Sequence, residues 1–518
     1  MDLKVINHYL WMPVAVNAPE INLQLSVNGQ PIQEIDLCLG GNEGDFFVSM
    51  DVTEWMGKML TITSEDKEEL PQIFSFSEYE ADNSYPYRPA LHYTSKIGWI
   101  NDPNGLIFSN GWYHLYHQYN PYGVIWGNMH WGHAVSRDLI HWEQKPLVLR
   151  PDENGTIYSG SAIMDIFNKS GYGKDTLLFF YTAAGGRNRW SKKLGSLFTQ
   201  RLAYSTDNGK TLTKTDLVCV DNIINENRDP KVFYHKPTMA YIMPLYLDEN
   251  DFAIFRSMDL IHWEEVQRLQ LPGMWECPDL ILLPVENEEE EKWIFWSADG
   301  YYVVGSFDGY KFSVESELLH AYFTGLPYAA QTYSGVEGRT ITIAWLRMKN
   351  QRGHYCGLMS LPMELTLVRI GNELRTKLTP VSELKKYQGD YKTFTKEGFS
   401  LNNRPAVIKI NWNDNSSGVV TLRIGEGTVE IDLNKKQLLL DTNEPESCVS
   451  GIRIGNRSEE SLLLYIDQEV IEFFGMDGTV YGALETEENI LGRSVSIQSE
   501  GKEVFMEWCQ LSGRQEEA

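Results

Sequence analysis

The sequence predicts an all-β chain: a five-bladed β-propeller with a C-terminal β-sandwich and a small N-terminal β module. Three observations carry this reading. A Ser-x-Asp turn followed by Trp or another apolar residue recurs at Ser136-Arg137-Asp138, Ser205-Thr206-Asp207, Ser257-Met258-Asp259 and Ser306-Phe307-Asp308. The four Asp residues lie 69, 52 and 49 positions apart, close to the repeat length of propeller blades made of strands and turns. Outside the repeat the chain alternates apolar and polar residues over short runs, the period of strands.

Residues 1–81 form the predicted N-terminal module. Ile21, Leu23, Leu25 and Val27 alternate into Asn28-Gly29, a hairpin signal because both turn positions need positive φ. A second run spans Phe46 to Val52, and no cluster here suggests chemistry. Asp82 to Arg88 reads as a linker into a propeller domain assigned to residues 82–380. In each repeat the Asp is expected to accept amide bonds of its own turn, holding an outer hairpin. A fifth blade is placed around Thr340 to Leu367, closed by Ser360-Leu361-Pro362. Glu288 to Glu291 reads as a solvated loop, and Val381 to Tyr387 as a short helical link. Short alternating strands fill residues 381–518: Val407 to Ile410, Val419 to Ile424, Leu462 to Phe474 and Val495 to Trp508. Many strands without helices predict a sandwich.

Composition narrows the function. The chain has 518 residues, 42% of them hydrophobic, and a formal net charge of −26. That charge argues against nucleic acid and anionic membranes, which require clustered Lys and Arg. No basic segment followed by an apolar run opens the sequence, and nowhere do about 18 apolar residues run together. The six Cys stand singly, which reads as reduced thiols in a cytoplasmic protein without a zinc site. No cofactor is implied. A homo-oligomer is compatible with these numbers.

The chemistry lies in a second repeat. Asp102, in Trp99-Ile100-Asn101-Asp102-Pro103-Asn104-Gly105, precedes its turn Asp by 36 positions; Asp229, in Arg228-Asp229-Pro230, by 30; Glu276, in Glu276-Cys277-Pro278, by 32. Asp-Pro-Asn-Gly alone is an ordinary turn. Three acids at blade-equivalent positions are different, because innermost propeller strands line a central channel and would bring the carboxylates together there. Glycoside cleavage needs two carboxyl groups flanking the scissile bond. A third can bind hydroxyls and favour an oxocarbenium-like transition state.

Further motifs accompany these acids: Gln118-Tyr119-Asn120-Pro121, Trp126-Gly127 with His130-Trp131-Gly132-His133-Ala134, Tyr158-Ser159-Gly160-Ser161-Ala162, and Ser360-Leu361-Pro362 with Glu364-Leu365-Thr366. In this order they resemble glycoside hydrolase family 32, the invertases, inulinases and levanases, over roughly 430 residues. The resemblance implies a retaining hydrolase releasing terminal non-reducing β-D-fructofuranosyl units from sucrose, fructo-oligosaccharides, inulin or levan. Asp102 would be nucleophile, Glu276 acid/base and Asp229 transition-state stabiliser. Asn101, Gln118, Trp126, Tyr158, Ser159, Arg228 and Trp345 would line the fructose pocket. Arg228 is expected to keep Asp229 ionised, Trp126 to face the sugar and Trp131 to sit in blade core. His130 and His133 lack the spacing of a metal site. The N-terminal module is more loosely similar to one on some gut-bacterial levanases and inulinases. Three positions depart from the family pattern: His117 before Gln118, Leu326-Pro327-Tyr328-Ala329, and Met363 after Ser-Leu-Pro. A fructosyltransferase on the same fold and an inactive fructan-binding protein are the alternatives.

Overall fold

The computed structural model describes residues 1–512 apart from 42–43, 83–84, 350–352, 443–447, 454–458 and 488. Linker positions 83–84 therefore lie outside the described residues. Five sheets form the propeller, each built around four antiparallel strands. Blade I runs Gly98–Ser109, Trp112–Asn120, His130–Ser136, Glu143–Leu149 from channel to rim. Blades II, III and IV open on Thr156–Asp165, Phe233–His235 and Asp279–Pro284. The expected outer hairpins are present. Asp138 Oδ1 accepts from the amides of Ile140 and His141 at 2.9 and 2.8 Å, and Asp259 repeats this with Ile261 and His262. Asp207 and Asp308 each hold two amides of their own turns.

Blade V corrects the sequence reading. It comprises Pro327–Thr332, Ile341–Leu346, Met363–Ile370 and Glu373–Pro380, so it is longer than Thr340 to Leu367 at both ends. Ser360-Leu361-Pro362 leads into its third strand and does not close it. The inner strand was hidden because it begins at Pro327 and bends at Ala329, whose φ is +50°, features that read as a turn. Tyr355–Cys356 crosses back to pair in parallel with Gly98 and Trp99 of blade I, joining the last blade to the first. Glu291 likewise belongs to a strand, Glu291–Trp296, while Glu288 and Glu290 bind Arg369.

The N-terminal module is a four-stranded sheet facing a three-stranded one, with Asn28 and Gly29 both at positive φ in the Glu20–Val27/Gln30–Cys38 hairpin. After a 3-10 helix at Ser382–Tyr387 the C-terminal part forms two six-stranded sheets. Neither end is a loose appendage. Ile97, Tyr122, Val124 and Cys356 of the propeller share one apolar core with the module, and Leu91, Tyr322 and Leu365 share another with Val407, Tyr465 and Tyr481 of the sandwich. Among the described residues no helix is long and apolar enough to cross a membrane.

Candidate active site

Backbone geometry at the channel mouth aims the acids. Asp102 lies on the first strand of blade I, where register against the second strand shifts between Ile100 and Pro103 and again between Asn104 and Ile107. Such bulges redirect side chains beside functional sites. Asp229 and Glu276 sit just before the inner strands of blades III and IV, with φ of +65° and +52°. Cys277 follows at +42°. Positive φ at non-glycine residues costs on the order of 1–3 kcal/mol each and persists only where the surroundings enforce it. Blade II offers no acid at the equivalent place. It supplies Tyr158 and Ser159 from Thr156–Asp165.

The three carboxylates open onto one cavity of about 310 Å³. All ten residues singled out from the sequence line it, together with Arg187, Glu226 and Tyr328. A larger cavity of about 500 Å³ opens farther along the inner strands of blades III to V, around Lys231, Asp279 and Thr332; it holds none of the three acids. Trp126 is 50% exposed at the rim, whereas Trp131 is fully buried and donates from Nε1 to the Tyr158 carbonyl. Gln118 Nε2 and Trp345 Nε1 are buried without a hydrogen-bond partner among the described residues, and both belong to side chains lining the cavity. They are donors available to a sugar hydroxyl.

Asp102 is held by donors on both oxygens. Ser159 Oγ donates to Oδ2 at 2.6 Å and Asn101 Nδ2 to Oδ1 at 3.2 Å, while Trp99 Nε1 fixes the Asn101 amide at 3.0 Å. Burial raises the Asp102 pKa above the ordinary carboxylate range, and the Ser159 and Asn101 bonds oppose that rise. The Cys277 thiol lies 3.8 Å from Asp102 and 3.5 Å from Asp229, and its amide donates to Asp229 at 3.1 Å. Burial and the neighbouring Asp229 carboxylate drive the thiol pKa well up, so Cys277 remains a neutral donor.

Arg228 differs from expectation. Its Nη2 bonds Glu276 Oε1 directly, and its Nε stands 3.9 Å from Asp229. The guanidinium lies over the Tyr246 ring, 4.6 Å from its centroid. Asp229 is therefore not kept in the usual ionised range. Burial pushes its pKa up to about 7; Arg228 opposes this, but Glu276 and Asp102 reinforce it. Desolvation outweighs the Arg228 charge, whose direct hydrogen bond goes to Glu276 and not to Asp229.

Tyr328 was missed as a site residue. Its hydroxyl donates to Glu276 Oε2 and accepts from Trp275 Nε1 at 3.0 Å, and its ring lies under Arg347 at 4.2 Å. The signal was present, since Tyr328 stands in one of the three segments that depart from the family pattern. Arg187 and Glu226 pair across the rim from segments that belong to no repeat. The other two departures are packing matters. Met363 is fully buried, and His117 packs where a Cβ on Gly132 would meet its ring at 2.3 Å. His130 bonds Gln33 at 2.8 Å and His133 bonds His114 at 3.1 Å.

A carboxylate cluster with a shared arginine, unpartnered donors and an aromatic rim, at the mouth of a five-bladed channel, defines a glycoside-cleaving enzyme. The sequence profile of the glycosyl hydrolases family 32 N-terminal domain matches residues 92–378, and the chain belongs to that family. A levanase of Bacillus subtilis is 31% identical over 468 residues, spanning 78% of this chain and 67% of the levanase. An invertase of Debaryomyces hansenii is 30% identical over 448 residues, 78% of this chain and 79% of the invertase. The crystal structure of an exo-inulinase from Aspergillus awamori superimposes with a TM-score of 0.74 at 25% identity, covering 83% of this chain and 99% of the other.

Proposed function

We propose that the protein is a retaining β-fructofuranosidase that removes terminal non-reducing fructosyl units from sucrose or fructans. The observation that carries this reading is the clustering of Asp102, Asp229 and Glu276 around one small cavity, bridged by Cys277 and Arg228. Asp102 attacks the anomeric carbon of the bound fructosyl unit while Glu276 protonates the departing oxygen. A covalent fructosyl-enzyme forms, and Glu276 then takes a proton from the water that hydrolyses it. Asp229 grips ring hydroxyls. With a pKa near neutrality it can donate as well as accept there.

Two displacements at one carbon restore its configuration, so β-fructofuranose is expected as the first anomer released from sucrose. Rapid NMR of the nascent product checks this. Appearance of the α anomer first would overturn the retaining assignment, and fructosylated sucrose as the main product at high sucrose would replace hydrolysis by transfer.

Ser159→Ala removes a hydrogen bond to the ionised form of Asp102. The nucleophile's pKa is expected to rise, so the acid limb of the kcat/KM profile should move to higher pH. The rate on the plateau should fall about tenfold, the cost of one charge-assisted bond. An unshifted limb would remove Ser159 from this role.

A further inference from the structure

The N-terminal module contributes no side chain to the pocket among the described residues, yet one of its strands grips both loops that form the rim. The strand is Gln30–Cys38. Gln33 Nε2 donates to Tyr122 Oη at 3.1 Å and contacts His130 Nε2 at 2.8 Å. Three residues on, the Asp36 amide donates to Asn128 Oδ1 at 2.8 Å, and Asn128 Nδ2 returns a bond to the Asp36 carbonyl at 2.7 Å. Tyr122 and Asn128 bracket the blade I loop that presents Trp126. Asn120, which accepts from Asn128 and donates to the Ile125 carbonyl, closes that loop on itself.

Glu34, pointing to the other face of the same strand, accepts from the Trp190 amide at 2.8 Å. Trp190 belongs to the six-residue helix Arg189–Leu194, and Arg187 stands two residues ahead of it at the pocket rim. Asp66 and Glu65 of the module add ion pairs to Arg189 and Lys193 of that helix. Helix and loop are thus tied to the module at several points.

We propose that the N-terminal module is the positioning element of the outer pocket and sets affinity for the sugar beyond the terminal fructose, an inference that rests on the β-fructofuranosidase reading. Trp126 is half exposed and the Arg187–Glu226 pair is 41% exposed on each side, whereas Asn101, Gln118 and Asp229 are buried. The deep set surrounds the fructosyl unit. The rim, which includes Trp126 although the family resemblance places that residue in the fructose pocket, meets what projects from the fructosyl unit, the leaving sugar or the next units of a fructan. Loops already ordered by the module need not be ordered by the substrate, so the entropy of fixing them is not drawn from binding. Bond breaking itself uses none of these contacts.

The test uses Glu34→Ala, with Glu34→Gln as its conservative partner because the amide oxygen still accepts from Trp190. Asn128→Gly serves for the other loop and suits the φ of +46° at that position. Glu34→Ala and Asn128→Gly are each expected to raise KM for sucrose and fructo-oligosaccharides about fivefold to tenfold, the loss of one or two rim-ordering hydrogen bonds. The value of kcat and the inhibition constant of free fructose should stay within about twofold, and Glu34→Gln should restore the wild-type KM. Amide hydrogen exchange should quicken over residues 185–197 in Glu34→Ala and over 121–129 in Asn128→Gly. Unchanged exchange and KM in both variants would overturn the proposal, as would KM and the fructose constant rising together. Wild-type enzyme without turnover on any fructosyl sugar would instead sink the function reading, and the exchange data would still decide whether the module orders the rim.

Discussion

Glu276→Ala is expected to slow sucrose cleavage by a factor on the order of 10² to 10⁴, the usual contribution of a positioned acid/base group. The reason lies in the leaving group. Fructose departs as a ketofuranosyl cation stabilised by its ring oxygen, so carbon–oxygen cleavage is relatively easy, but a sugar alkoxide leaves poorly without a proton. An activated leaving group needs no such proton, so the first step should be largely spared in Glu276→Ala. Azide needs no general base and should rescue the second step, trapping the intermediate as β-fructosyl azide. Asp102→Ala lacks the intermediate itself. It should show neither the spared substrate nor a β-configured azide product, with a rate loss at least as deep. Kinetics on sucrose and an activated fructoside, with product analysis in azide, check both variants. If they respond alike to activated substrate and azide, the assigned roles are wrong. Arg228 and Tyr328 each bond one oxygen of Glu276, so they fix where the proton is delivered.

The positions of the three acids were legible because propeller blades repeat: a similar offset from each turn Asp, 30 to 36 positions, brings the side chains to one end of the channel. What the repeat does not encode was harder to see. Arg187 and Glu226 come from connecting segments with no counterpart in other blades, and no spacing argument reaches them. Sequence adjacency suggested Arg228 for Asp229, but the backbone between them turns through positive φ at Asp229 and sends the guanidinium toward Glu276. The inner strand of blade V was masked by Pro327 and by positive φ at Ala329. Gln33, Glu34 and Asp36 look, in sequence, like the polar residues of a half-solvated strand. Only the fold shows that their partners belong to the pocket's loops, because those contacts span 89 to 156 residues of chain.

The largest stability effect is expected at His92, where the propeller meets the sandwich. His92 Nδ1 lies 2.9 Å from Asp467 Oδ2 and Nε2 lies 3.3 Å from Glu472 Oε1, with all three side chains fully buried. Asp467 also accepts from the amides of Ala90, Leu91 and His92, and Glu472 from that of Leu361. Burial alone would lower the His92 pKa, but bonds to Asp467 and Glu472 outweigh it and lift the value to about 9. The unfolded chain titrates near 6.5, so the folded state binds the proton more tightly. Its contribution, on the order of 3 kcal/mol from that difference, is complete below about pH 6.5. It declines as pH rises and is lost above about 9. Glu472, raised by burial, acts in the same sense, its contribution being lost as pH rises from the ordinary carboxyl range upward. Asp467 acts in the opposite sense: burial is overcome by His92 and the surrounding amides, its pKa is lowered, and its stabilisation disappears as pH falls through the acid range. His92→Ala strands two buried carboxylates without a cation and should cost about 3–5 kcal/mol, the range for removing one partner of a buried ion pair. Apparent Tm measured at one scan rate from pH 5 to 10 should drop most at the acid end of that window. The wild-type decline between about pH 6.5 and 9 should largely flatten in the variant. A variant that keeps the full alkaline decline would show that another group drives it.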